Sequence, residues 1–101
     1  MPDSIIFVEI KISELPSENE LIDLSNRAFQ EKNFQKVIEL LTKVIVLQPD
    51  RYEIYLRLGL ASSSLGKLEE AIGYFEKGAS INPNSSPIYC NLGNLYAELN
   101  N

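Results

Sequence analysis

The sequence predicts an all-α fold, a solenoid of antiparallel helical pairs, and three observations predict it. Pro49 and Pro83 lie 34 residues apart (83 − 49 = 34), and each closes a similar amphipathic stretch, Val37–Asp50 and Ala71–Asn84. Laid on one another, these stretches match Ile38 to Ile72, Leu41 to Phe75, Lys43 to Lys77 and Leu47 to Ile81. The same offset carries Leu24 onto Leu58, Leu58 onto Leu92, and Gly59 onto Gly93. A unit of this size cannot bury its apolar face alone. Stacked copies bury it together, and such stacks usually work as binding surfaces.

Taken in order, residues 1–17 lie outside the repeat. In Ser4–Ile12, Ile6, Val8, Ile10 and Ile12 alternate with Phe7, Glu9 and Lys11. That pattern predicts an extended segment, with a short helix as the alternative. An exposed strand of this kind would be an edge for dimerisation. Repeat 1 spans 18–51. Ser17 with Glu20 forms a capping-box pattern at its start, and Asn33 can cap its second helix. Repeat 2 spans 52–85, with Asp50 and Glu53 as a second capping-box pattern. Its first helix places Tyr55, Leu58, Gly59 and Ser62 on one face, and Gly66-Lys67 breaks the chain. Its second helix does the same with Leu68, Ala71, Ile72, Phe75 and Ala79. Ser86 as capping residue, with Pro87 at the first helical position, opens a partial third repeat, 86–101, consisting of a first helix only.

The predicted buried stripe is Leu24, Ala28, Phe34, Ile38, Leu41, Tyr55, Leu58, Gly59, Ala71, Ile72 and Phe75. Gly59 and Gly93 share one phase, which predicts a close helix contact at each. On the last helix, Tyr89, Leu92, Leu95, Tyr96 and Leu99 offer more apolar surface than one neighbour can cover. The expectation is a fragment of a longer array, or self-association through this end or the N-terminal segment.

Composition narrows the partners. The 101 residues carry a net charge of −5, with 45% hydrophobic and 23% charged residues, the profile of one globular domain. Phosphate backbones repel that balance, so nucleic acid is not expected as a partner. No apolar run reaches the roughly 18 residues of a membrane helix, and the N-terminus lacks the basic start of a secretory signal. A cytoplasmic location is the expectation. The single cysteine, Cys90, leaves no intrachain disulfide and reads as a small groove-lining residue.

Nothing in the sequence points to catalysis. There is no histidine, no metal-ligand spacing, no Gly-rich phosphate loop and no nucleophile elbow. The carboxylates Glu18, Glu20, Glu69 and Glu70 stand at helix starts, where they complement the helix dipole. The chain is therefore not expected to be an enzyme or to hold a metal or other cofactor.

From Ser17 onward the chain resembles the tetratricopeptide repeat family. The residues that carry the resemblance are Tyr55, Leu58-Gly59, Gly66, Ala71, Phe75, Gly78 and Pro83, then Tyr89, Leu92-Gly93 and Tyr96. Repeat 1 departs from the pattern at Ser25, Val37 and Val44. The resemblance implies a concave groove lined by the first helix of each unit. Asn19, Ile22, Asp23, Asn26 and Phe29 would come from repeat 1, and Glu53, Leu56, Arg57, Leu60 and Ser64 from repeat 2. Cys90, Asn91, Asn94 and Glu98 would come from the last helix. Asn26, Arg57, Leu60, Asn91 and Asn94 are the candidate ligand-binding residues, and the implied partner is a protein, as a peptide or short helix. Substitutions at Arg57 and Asn94 are expected to leave stability within about 0.5 kcal/mol, as at exposed sites.

The family's mode for acidic chaperone tails needs a clamp of Lys, Asn and Arg. Only Asn26 fits it here, while Ile22, Arg57, Pro87 and Asn91 stand at the other clamp positions. Two other functions remain open from the sequence. One is a substrate-recruiting array of a larger enzyme, for example a glycosyltransferase. The other is a self-associating structural module.

Overall fold

Ser17 opens the first helix in the way its sequence implies: the backbone N–H of Glu20 donates to Ser17 Oγ at 3.2 Å. The computed structural model describes residues 16–100, so the expected extended stretch Ser4–Ile12 lies outside the described residues. Five helices follow: α1 (Glu18–Gln30), α2 (Phe34–Leu47), α3 (Tyr52–Ser64), α4 (Leu68–Ile81) and α5 (Ser86–Leu99). The starts of α1, α3 and α5 are 34 residues apart (52 − 18; 86 − 52), as are those of α2 and α4 (68 − 34). Each helix packs chiefly on its neighbours in sequence, so the molecule is a succession of antiparallel pairs.

The turns inside the two pairs share one hydrogen-bond scheme. Lys67 N–H donates to Ser62 O at 2.9 Å and Gly66 N–H to Ser63 O at 2.9 Å. One period earlier, Asn33 N–H donates to Ala28 O at 2.8 Å and Lys32 N–H to Phe29 O at 3.1 Å. This is the Schellman ending, which needs a left-handed residue just past the helix. Gly66 supplies it with φ 79, and Lys32 with φ 60. The turns between pairs are closed differently: α2 and α4 each end two residues before a proline, Pro49 or Pro83.

The core forms between the helices in two adjoining parts. Leu21, Ala28, Val37, Leu41, Val44, Ile54, Tyr55 and Leu58 are buried among α1, α2 and α3. Ala71 and Phe75 of α4 are buried with Ile88, Leu92 and Leu95 of α5. At Gly59 a Cβ would stand 2.5 Å from the Phe75 ring, so the glycine is what lets that ring reach α3. Gly78 is the same device at another contact, with Ile88 Cδ1 2.8 Å from where its Cβ would be.

Four expectations need correction. Leu24 is 39% exposed rather than buried. Its counterparts Leu58 and Leu92 lie on helices that have a preceding helix beside them, and no described helix precedes α1. Gly93 makes no close contact, because nothing lies within 4 Å of the place its Cβ would take. Asp50 does not cap α3; Arg51 holds the cap position and no side chain bonds there. The cap of α5 is Ser85, with Ser86 as the first helical residue and no side-chain cap bond. Phe34, Ile38 and Ile72 are half-buried at the core's margin.

Candidate functional site

The first helices of successive pairs bring α1 and α3 side by side at one face. There an open cavity of about 450 Å³ is lined by Ser25, Asn26, Phe29, Gln30, Val37, Arg57 and Leu60. Helical spacing places these groups. Asn26, Phe29 and Gln30 follow at i, i+3 and i+4 on α1, and Arg57 and Leu60 at i, i+3 on α3. Val37 is fully buried and forms apolar floor, while Phe29 and Leu60 are half-buried walls. Phe29 is held in turn by Phe34, whose ring meets it edge-on at 5.4 Å and 86°.

Arg57 Nη1 donates to Asn26 Oδ1, joining the two helices across the cavity. The bond uses one donor of the guanidinium and the carbonyl oxygen of the amide. Among the described residues, the other guanidinium donors and the amide NH₂ make no side-chain bond and are available to a ligand. Arg57 makes no ion pair among the described residues and is the single charged group lining the cavity. A second cross-link lies at the helix starts, where Arg51 of the α2–α3 turn meets Glu18 of α1 at 2.8 Å. Both partners of that pair are partly exposed, which limits its value to about 1 kcal/mol or less.

Of the five candidate residues, Asn26, Arg57 and Leu60 come together in this cavity. Asn91 and Asn94 are on α5, outside its lining; Asn91 Nδ2 donates to Pro87 O of its own helix at 2.8 Å, and Asn94 is exposed. The expectation that Arg57 is a freely exposed side chain needs correction, because it is half-buried and bonded to Asn26. Its truncation therefore removes a charge-assisted bond worth about 1.5–3 kcal/mol at most. Sequence reasoning missed Ser25, Gln30 and Val37. The signals were present: Ser25 and Val37 sit one period before Gly59 and Ala71, and Gln30 lies one turn beyond Asn26. Ser25 is buried with its hydroxyl donating to Ile22 O at 2.7 Å.

Among the described residues no group of three or more potential ligands could hold a metal ion. No described helix is long and apolar enough to cross a membrane.

Known proteins share this architecture. A family model described as Tetratricopeptide repeat matches residues 52–85, and a second with the same description matches residues 74–101. The chain is 29% identical over 73 residues to Tetratricopeptide repeat protein 37 of Xenopus laevis, spanning 72% of this chain and 5% of that protein. A structure of MamA AMB-1 superposes with a TM-score of 0.80 at 22% identity, over 88% of this chain and 49% of that one. A structure of MamA MSR-1 gives 0.79 at 25% identity, over 91% and 53%. The first TPR domain of Spaghetti (RPAP3), bound in its structure to an HSP90 peptide, gives 0.80 at 22% identity, over 84% and 68%. The chain thus spans a small part of its curated relative and about half of the MamA chains. Matched by those family models over residues 52–101 and superposing in its helical pairs on solved repeat domains, the chain carries tetratricopeptide repeats, a protein-interaction module.

Proposed function

We propose that this chain binds a peptide or short helix of a partner protein in the groove between α1 and α3, without catalysis. The observation that carries the proposal is the make-up of the cavity. Val37, Phe29 and Leu60 offer apolar contact, while Asn26, Gln30 and Arg57 offer donors and acceptors around it. An apolar floor with a few convergent polar groups suits a ligand that carries both a side chain and backbone amides. The structural neighbour that holds a peptide supports a peptide class of ligand. Asn91 and Asn94 would extend the surface along α5. Repeat boundaries at 18–51, 52–85 and 86–101, and a cytoplasmic location, belong to the same proposal.

A random peptide display library screened on the chain tests it. The expected result is a set of peptides whose affinity falls at least tenfold on Leu60→Asp and on Asn26→Ala, with the helical circular dichroism unchanged. Peptides that bind equally to both variants would place recognition elsewhere and sink the groove.

A further inference from the structure

Beside α1 and α2, the first of the described helices, lies a second cavity, apart from the α1/α3 groove. It measures about 340 Å³ and is lined by Pro16, Leu21, Lys43, Val46 and Leu47. Its apolar wall faces solvent, with Val46 80% and Leu47 60% exposed. One period on, the same five positions hold Asp50, Tyr55, Lys77, Ser80 and Ile81. The repeat itself therefore does not demand apolar residues there. Asp50 and Ser80 are exposed and polar, and the first repeat has put Pro16 and Val46 in their places. A contiguous apolar patch gained at an exposed position marks a surface that something covers.

The chain that leads into Pro16 supplies the occupant. Ile5, Ile6, Phe7, Val8, Ile10 and Ile12 bring apolar side chains to six of eight consecutive positions. Only Ser13, Glu14 and Leu15 separate Ile12 from Pro16, which is itself a wall of the cavity. Three residues reach about 10 Å, so the segment is tethered at the cavity's edge. A short tether sets an effective concentration on the order of millimolar, which favours the attached segment over a free copy. Lys43, the single charge in the lining, is opposite in sign to Glu9 and Glu14.

We propose that the Ile5–Ile12 segment of this chain occupies this cavity in cis, laying apolar side chains on Leu21, Val46 and Leu47. The chain contains no tryptophan, so Phe7→Trp and Ile10→Trp, made separately in the full chain, give single emitters on opposite sides of the segment's alternation. At least one reporter should emit to the blue of a solvated indole. That emission should be independent of protein concentration, and Val46→Glu or Leu47→Glu should move it to the red. Ser80→Glu, at the equivalent position of the second repeat, should leave it in place. Circular dichroism checks that the helices persist in every variant, which exposed positions favour. Water-like emission from both reporters overturns the proposal, as does an emission that Val46→Glu and Leu47→Glu leave unchanged. A blue shift that vanishes on dilution also overturns it, by assigning the cavity to a second copy.

Discussion

Lys32 and Gly66 stand at the same place in successive turns, both with positive φ, and only the glycine is at ease there. A left-handed backbone costs an L-residue roughly 1–2 kcal/mol, and a glycine gives part of that back through its larger unfolded-state entropy. Lys32→Gly is therefore expected to raise stability by about 0.5–1 kcal/mol, and Gly66→Ala to lower it by about 1 kcal/mol. Urea unfolding of the two variants measures both, and a loss of stability in Lys32→Gly would contradict the reasoning. Leu58 is the opposite kind of residue, fully buried between helices. Leu58→Ala is expected to cost about 2–5 kcal/mol, with the exact loss set by how far α2 and α4 can close on the cavity. Ser62 is also fully buried, and its hydroxyl has no partner among the described residues. Removing an unpaired buried polar group can be neutral or favourable, so a large loss in Ser62→Ala would reveal a partner for that oxygen.

At the scale of helices, the two glycines of equal phase should respond in opposite ways. Gly59→Ala would drive a methyl into the buried Phe75 ring, and overpacking of that kind costs about 1–3 kcal/mol. Gly93→Ala meets open space and should gain up to about 1 kcal/mol of helix propensity. Melting curves of the pair decide it: a Gly59→Ala variant as stable as the parent would mean that Phe75 can turn aside freely. The last helix contact has its own signature. Tyr96 Oη donates to Glu76 Oε1 at 2.6 Å, linking α5 to α4. That hydrogen bond, with burial and the carboxylate charge behind it, raises the Tyr96 pKa above the ordinary 10.0. Because the folded pKa is the higher one, the bond's contribution is complete below about pH 10 and is lost as the pH rises through the folded value. Ultraviolet titration should show a late-ionising tyrosine that Glu76→Gln shifts downward; an unshifted curve would rule the contact out in solution.

The helices were legible in the sequence because period and phase are local properties: apolar spacing, the Gly66 break and the Ser17 and Asn33 caps all survive in the structure. What was not legible depended on neighbours. Leu24 and Leu58 are identical in type and phase, and only the helix on the far side separates an exposed leucine from a buried one. Gly93 repeats Gly59 in sequence but has no aromatic ring facing it. In the candidate site, the spacing of Asn26, Arg57 and Leu60 showed that they share a helix face. The bond between Asn26 and Arg57 required the distance between α1 and α3, which no spacing along one chain encodes.

Across the whole molecule, each helix rests mainly on the one before and the one after. The contacts that hold the fold are therefore close together along the chain, even though the described residues form five helices. Low contact order of this kind goes with folding in microseconds to milliseconds, since little loop entropy must be spent before a contact forms. It also means that the chain can open one helix at a time rather than all at once. Hydrogen exchange should be slowest at the amides of α3, which has neighbours on both sides, and fastest in α5. Equal protection in those two helices would mean that the array opens only as a unit. A partner that grips α1 and α3 together would then act as a clasp across the first pair, slowing the opening of that part of the array while leaving α5 free to fray.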